Sequence, residues 1–384
     1  MQNHVCGHLN EGTCALNIEG NESRPLWSNN YCVSGVSKST TLSSNVKWRR
    51  RASARQVHLK HLFVLGLLIV AATTPACSQL FHSGQSENAS QTISACGATI
   101  DLTLKGDTQQ ISQAILLNWI NRAAEAVCTY YGRYPVSHVA LNVYVHGQAG
   151  VHGGVTHPAE NGARIRISVG PGTTQSQFDD DWMLTHEMIH PAFPYMSDKH
   201  HWIEEGISVY VEPIARAQAG QISAMQVWHD VVRDMPQGEP EAGDQGLDHT
   251  HTWGRTYWGG AMFCLLADVR IREQTHNRKG LQDALRGIRD AGGNIDEDWP
   301  IERAFTAGDQ ATGTTVLMDL YREMRDKPAP VDLDALWQKL GIQRKGDGSI
   351  VLISNAPLAD IREAITKPPK SAAPRAQLRS TLPR

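Results

Sequence analysis

Two imidazoles stand four residues apart in His186-Glu187-Met188-Ile189-His190, and a carboxylate directly follows the first. On an α-helix that spacing puts His186 and His190 on one face, where both can reach one metal ion, while Glu187 lies beside them as a base. The chemistry this suggests is hydrolysis by a metal-activated water, with zinc as the metal. With 17 histidines in 384 residues the pentapeptide alone is weak, so its surroundings must decide.

A catalytic zinc usually takes three protein ligands and leaves a position for water. Glu205, in His201-Trp202-Ile203-Glu204-Glu205-Gly206, is the expected third ligand, with fourteen residues between it and His190. That connection is long enough for a turn and a reversal, so a second helix carrying Glu205 can pack on the motif helix. His200 and His201 are the local competitors. An arrangement with a third histidine six residues after His190 would need Gly at 193 and His at 196, where the chain has Phe193 and Met196. The bland alternative is a helix whose histidines only form hydrogen bonds.

These residues need a scaffold, and the pattern of the chain supplies an α+β order. Alternation over 98–104, 139–145 and 163–169 predicts three strands, and the apolar spacing within 108–130 predicts a helix between the first two. Gly150, Gly153 and Gly154 read as a flexible loop. Helices are expected near 180–192, 201–219, 221–233, 256–276, 280–290, 314–326, 333–340 and 357–366, with a Gly- and Pro-rich loop at 236–254. A small mixed sheet thus precedes a mainly helical lobe, and the histidine motif falls at their junction.

The expected division is a poorly structured segment 1–56 with a misassigned start, Val57 being the true first residue, a signal peptide or lipoprotein signal 57–77, and a linker 78–95. A catalytic domain 96–366 follows, with a β-containing lobe about 96–178 and a helical lobe about 179–366, and then a disordered tail 367–384. Arg49, Arg50, Arg51, Arg55 and Lys60 precede an apolar run from Leu62 to Ala72, which fits an export signal better than a membrane span. Thr74-Pro75-Ala76-Cys77 resembles a bacterial lipoprotein cleavage box, so lipid anchorage through Cys77 and a periplasmic or envelope location are expected. In an oxidising compartment Cys96 and Cys128 either pair or remain as two buried thiols. A net charge of −3 and a pI near 6.6 give no reason to expect nucleic acid as a partner, and no oligomer is expected.

His-Glu-x-x-His followed by Trp-aliphatic-x-Glu-Gly resembles the gluzincin metallopeptidases, and Asp181-Trp182-Met183-Leu184-Thr185-His186-Glu187 looks more specifically like the glycyl aminopeptidase family. A second block, from Tyr257-Trp258-Gly259-Gly260 through Glu273 and on to Gly280–Leu285, resembles the tyrosine-bearing helix of that family. The resemblance implies a thermolysin-like catalytic fold, Zn2+ as cofactor and peptides or proteins as substrates. It also implies that the Tyr257 hydroxyl stabilises the tetrahedral intermediate, with Tyr210 as a weaker substitute. Glu187 and Tyr257 are then the catalytic residues, and His186, His190 and Glu205 the metal ligands. The Asp that follows the ligand glutamate by four residues in thermolysin is replaced by Val209. The rival reading is an inactive exported binding or scaffold protein that keeps the zinc.

Overall fold

Residues 90–368 are described by the computed structural model, and all fall within one compact unit. The expected segments 1–56 and 57–77, the lipidation position Cys77, and the tail beyond 368 lie outside the described residues. Among the described residues no helix is long and apolar enough to cross a membrane.

Five strands form one mixed sheet: β1 (Ser90–Ala95), β2 (Ala98–Gly106), β3 (His138–Val145), β4 (Val151–Ala159) and β5 (Gly162–Val169), in the order β1-β2-β3-β5-β4. The β2–β3 and β3–β5 pairs are parallel, and the two outer pairs are antiparallel. Alternate residues of the three central strands point to one side, where Ile100, Leu102, Val139, Leu141, Val143, Ile165 and Ile167 are buried. Helix α1 (Gln113–Tyr131) makes the crossover between β2 and β3 and buries Leu116, Trp119, Ile120, Ala123, Ala124 and Val127. A disulfide joins Cys96, in the turn between β1 and β2, to Cys128 near the end of α1, with the Cα atoms 6.3 Å apart.

Two expectations need correction here. Residues 90–95, read as the end of a linker, form β1, because Gln91, Ile93 and Ala95 alternate into the core beside β2. Gly153 and Gly154, read as loop, lie within β4, which pairs with β5 across a register shift between Val151 and Gly153.

The helical lobe begins with α2 (Gln175–Asp179) and α3 (Met183–Ile189), followed by short 3-10 turns at His190–Ala192 and Asp198–His200. It continues with α4 (His201–Gln218), α5 (Ala224–Asp234), a 3-10 turn Met235–Gly238 and a π-helical turn Arg255–Gly259 that leads into α6 (Gly260–Gln274). The chain then forms α7 (Leu281–Asp290), α8 (Ile301–Thr312), α9 (Val316–Met324), α10 (Leu333–Leu340), the hairpin β6 (Ile342–Arg344) and β7 (Ile350–Leu352), and α11 (Ala359–Thr366). Helix α8 is absent from the sequence expectation; its buried face joins Ile301, Ala304 and Phe305 to Gly308, Asp309 and Thr312, so part of that face carries no apolar side chain. The hairpin β6–β7 is too short to signal itself.

Helices α4 and α6 approach closely where Gly206 meets Gly260, and a Cβ on either would run into the other backbone. This contact fixes the helix that carries Glu205 within the lobe.

Candidate metal centre

Asp181 sets the start of α3. Its carboxylate accepts the backbone N–H groups of Met183 and Leu184 at 3.1 Å each, and also the Trp119 indole N–H at 2.8 Å, tying the helix to α1. Two of the first-turn donors are thereby satisfied. Pro191 then stops the α-helix, since its ring cannot continue the ladder, and the short helix ends at Ile189 with His190 beginning the 3-10 turn.

Within that turn and a half His186 and His190 share one side, with ring centroids 5.0 Å apart. Glu205, one turn into α4, meets them: its Oε2 lies 3.0 Å from His186 Nε2 and 3.7 Å from His190 Nε2. One donor atom from each of these three residues lies within 4.8 Å of the others. Two imidazole nitrogens and one carboxylate oxygen are the donors zinc takes, and their convergence in a buried place is otherwise a costly use of polar groups. The residues present fit one Zn2+ ion.

Glu187 is held from β4. Its Oε2 accepts the Thr156 hydroxyl of β4 at 2.7 Å, and the same hydroxyl is 2.9 Å from the Glu187 carbonyl oxygen. A Cβ on Gly154 would stand 2.6 Å from Glu187 Cγ and 2.7 Å from Oε1, so glycine is what lets β4 lie over this side chain. Burial pushes the Glu187 carboxyl up to about 7, against the pull of His186 and the Thr156 hydrogen bond. Burial also opposes ionisation of Glu205, but His190, His186 and His201 outweigh it and hold its carboxyl well below the usual range.

His200 and His201 separate. His200 Nε2 turns to the Tyr321 hydroxyl at 3.1 Å and lies 3.4 Å from Asp248 Oδ2, so it is not a third ligand. His201 reaches Glu205 Oε1 at 3.3 Å and Glu204 Oε2 at 3.3 Å, and its hydrogen bonds to these carboxylates push it up to about 10. Glu212, three residues beyond Val209, is buried and paired with Arg216 at 2.9 Å, and its charge is felt by His186.

Tyr257 lies in the π-helical turn before α6 and stacks on Trp253 with centroids 5.7 Å apart. Gly260, three residues on, serves the contact with α4. Tyr210 is buried and donates its hydroxyl to Asp268 Oδ2 at 3.0 Å, which directs it into the α4–α6 core. The loop after Met235–Gly238 is fastened rather than free: Leu247 and Asp248 donate their N–H groups to Met324 and Arg325, and Asp248 also accepts Trp202 Nε1 and the Tyr321 hydroxyl.

Thr156 was missed because its strand was read as loop, and a lone threonine has no local signature. The signal that bears on it is Gly154, whose need for close approach becomes visible only once Glu187 is placed.

No family model matches the chain, and no curated protein matches it. Among solved structures it is similar to an aminopeptidase N family protein from Idiomarina loihiensis, at 15% identity and a TM-score of 0.47, over 67% of this chain and 50% of that one. It is also similar to an M1 zinc metallopeptidase from Deinococcus radiodurans, at 11% identity and a TM-score of 0.40, over 63% and 52% of the two chains. The chain thus spans about half the length of these proteins. On its own geometry, a mixed sheet followed by a helical lobe with a His-His-Glu centre between them, the described part of the chain has a thermolysin-like gluzincin fold with a site positioned for one zinc ion.

Proposed function

We propose that the protein is a zinc metallopeptidase that hydrolyses peptide bonds in peptides or proteins. The observation that carries this reading is the division of labour within one short stretch, α3 and the 3-10 turn that follows it: His186 and His190 turn to Glu205, while Glu187 turns to β4 and stays out of the donor set. A centre that only stored metal would have no use for a buried carboxylate held beside it.

Zinc, when bound, supplies a fixed positive charge that makes water nucleophilic at neutral pH and favours charge developing on a carbonyl oxygen. His186, His190 and Glu205 hold it. Glu187 accepts the proton of the attacking water and passes it to the leaving amine. Thr156 keeps that carboxylate in one orientation. Tyr257 donates its hydroxyl to the developing oxyanion, a role supported by its place in a π-helical turn, a feature common at functional sites.

Substrate is taken to lie along β4. This strand ends the sheet order, so its outer edge pairs with no other described strand and could take an extended peptide, and Gly154 and Thr156 on it border Glu187. The Cys96–Cys128 disulfide supports an exported location, since such bonds persist in oxidising compartments.

The test is a cleavage profile of the purified protein over a peptide library, with a chelator and Glu187→Gln as controls. Cleavage that both controls abolish, with metal still bound by Glu187→Gln, is the expected result. Stoichiometric metal with no cleavage in any profile would leave a scaffold protein instead.

A further inference from the structure

His201 opens α4 one turn before Glu205, and the i,i+4 spacing puts both side chains on one face. Although 51% of its side chain is exposed, both ring nitrogens are engaged: Nε2 lies 3.3 Å from Glu205 Oε1 and Nδ1 lies 3.3 Å from Glu204 Oε2. Glu204 is itself held, because its Oε1 accepts the Met196 backbone N–H at 3.1 Å, within the connection between His190 and α4. The two oxygens of Glu205 are therefore divided. Oε1 belongs to His201, and Oε2 faces His186 and His190.

We propose that His201 is a positioning residue that holds Glu205 by Oε1 so that the carboxylate presents a single oxygen, Oε2, to the metal, with Glu204 fixing the imidazole. This rests on the metal-centre reading. A glutamate has three side-chain torsions and two equivalent oxygens, so left alone it can swing away or offer both oxygens. The brace runs from Met196 through Glu204 and His201 to Glu205, and so couples the connection between the two ligand-bearing helices to the ligand itself. Groups that orient a ligand in this way commonly govern metal affinity by about 10–100-fold.

The experiment uses the full chain and reads metal directly: zinc affinity by competition with a chromophoric chelator, and the visible spectrum of the cobalt-substituted protein. In His201→Ala, one metal per chain should remain, with affinity lowered about 10–100-fold and the cobalt bands altered in position or intensity. Glu204→Gln should move both readouts in the same direction by less. His201→Gln, which keeps a donor for Glu205, should recover part of the loss. His229→Ala, which removes an imidazole on α5 paired with Asp230, should change neither.

Unchanged affinity and spectrum in His201→Ala, with metal lost in His186→Ala, would overturn the proposal while leaving the metal centre intact. Loss of stoichiometric binding equal to that of His186→Ala would overturn it in favour of His201 as a ligand. Undiminished zinc binding by His186→Ala would instead remove the metal-centre reading on which the proposal stands.

Discussion

Thr156 and Glu187, which lie on the sheet and in the helical lobe respectively, are joined by a hydrogen bond of 2.7 Å from the threonine hydroxyl to the carboxylate. The edge strand of the sheet therefore fixes the side chain proposed to move the proton, while the second lobe supplies the metal donors. The helical lobe thus carries both the proposed base and the metal donors, and the sheet contributes the hydroxyl that holds the base.

Replacing Thr156 by Val keeps the shape of the side chain and removes its hydroxyl. A hydrogen bond to a charged group contributes about 1.5–3 kcal/mol, so turnover should fall about 10–100-fold. The ligands are untouched, and metal content by atomic absorption should stay at one per chain. Equal turnover by Thr156→Val and the unaltered protein would show that Glu187 is oriented by something else.

Gly154→Ala tests the same contact from the other side. The added Cβ would stand 2.6 Å from Glu187 Cγ, so the strand or the carboxylate must shift. A displacement of about 1 Å at a catalytic group can cost on the order of 100-fold in rate. Overpacking should also lower stability by about 1–3 kcal/mol, measured by urea unfolding. A variant with intact turnover would mean that β4 moves freely over α3.

Much of this site was legible because its signals are local. His186, Glu187 and His190 lie within one turn and a half, and Glu205 is placed by a short connection and the Trp-Ile-Glu-Glu-Gly context. The three inner strands declared themselves by alternation against a one-sided core. What escaped depends on contacts distant in sequence. β4 is punctuated by two glycines and Pro158 because an edge strand tolerates them and Glu187 demands one of them, so its sequence mimics a loop. β1 is polar because only one of its faces is buried, and Thr156 acquires its role from a residue thirty-one positions away.

The Cys96–Cys128 disulfide closes a loop over a separation of 32 residues, which in the chain-entropy account is worth about 3–4 kcal/mol. It pins the β1–β2 turn to α1 and includes none of the metal donors. Reduction, or Cys96→Ser with Cys128→Ser, should therefore lower the unfolding free energy by about that amount while metal affinity in the folded protein stays the same. Thermal unfolding with and without reductant, followed by metal titration below the transition, reads both. An unchanged transition under reductant would show that the bond adds nothing to stability.

Asp248 provides a pH test separate from the metal donors. Its side chain is fully buried in the loop before Arg255–Gly259, accepts Trp202 Nε1 at 2.9 Å and the Tyr321 hydroxyl at 2.8 Å, and lies 3.2 Å from Lys199 Nζ. Burial alone would raise its carboxyl, but the hydrogen bonds from His200, Trp202 and Tyr321 prevail and bring it from 3.8 to about 2. The folded state thus prefers the ionised form, so the unfolded chain takes up the proton first as pH falls. The stabilisation, about 2 kcal/mol from a shift of this size, is complete above about pH 5 and is lost as pH falls through 4 towards 2. In Asp248→Asn this increment should be missing at pH 7, and the gap between variant and unaltered protein should narrow on acidification. Urea unfolding of both proteins at pH 7, 5, 4 and 3 measures that gap. If it stays constant across the series, the carboxylate's charge is not what fastens this loop to Trp202 on α4 and Tyr321 on α9.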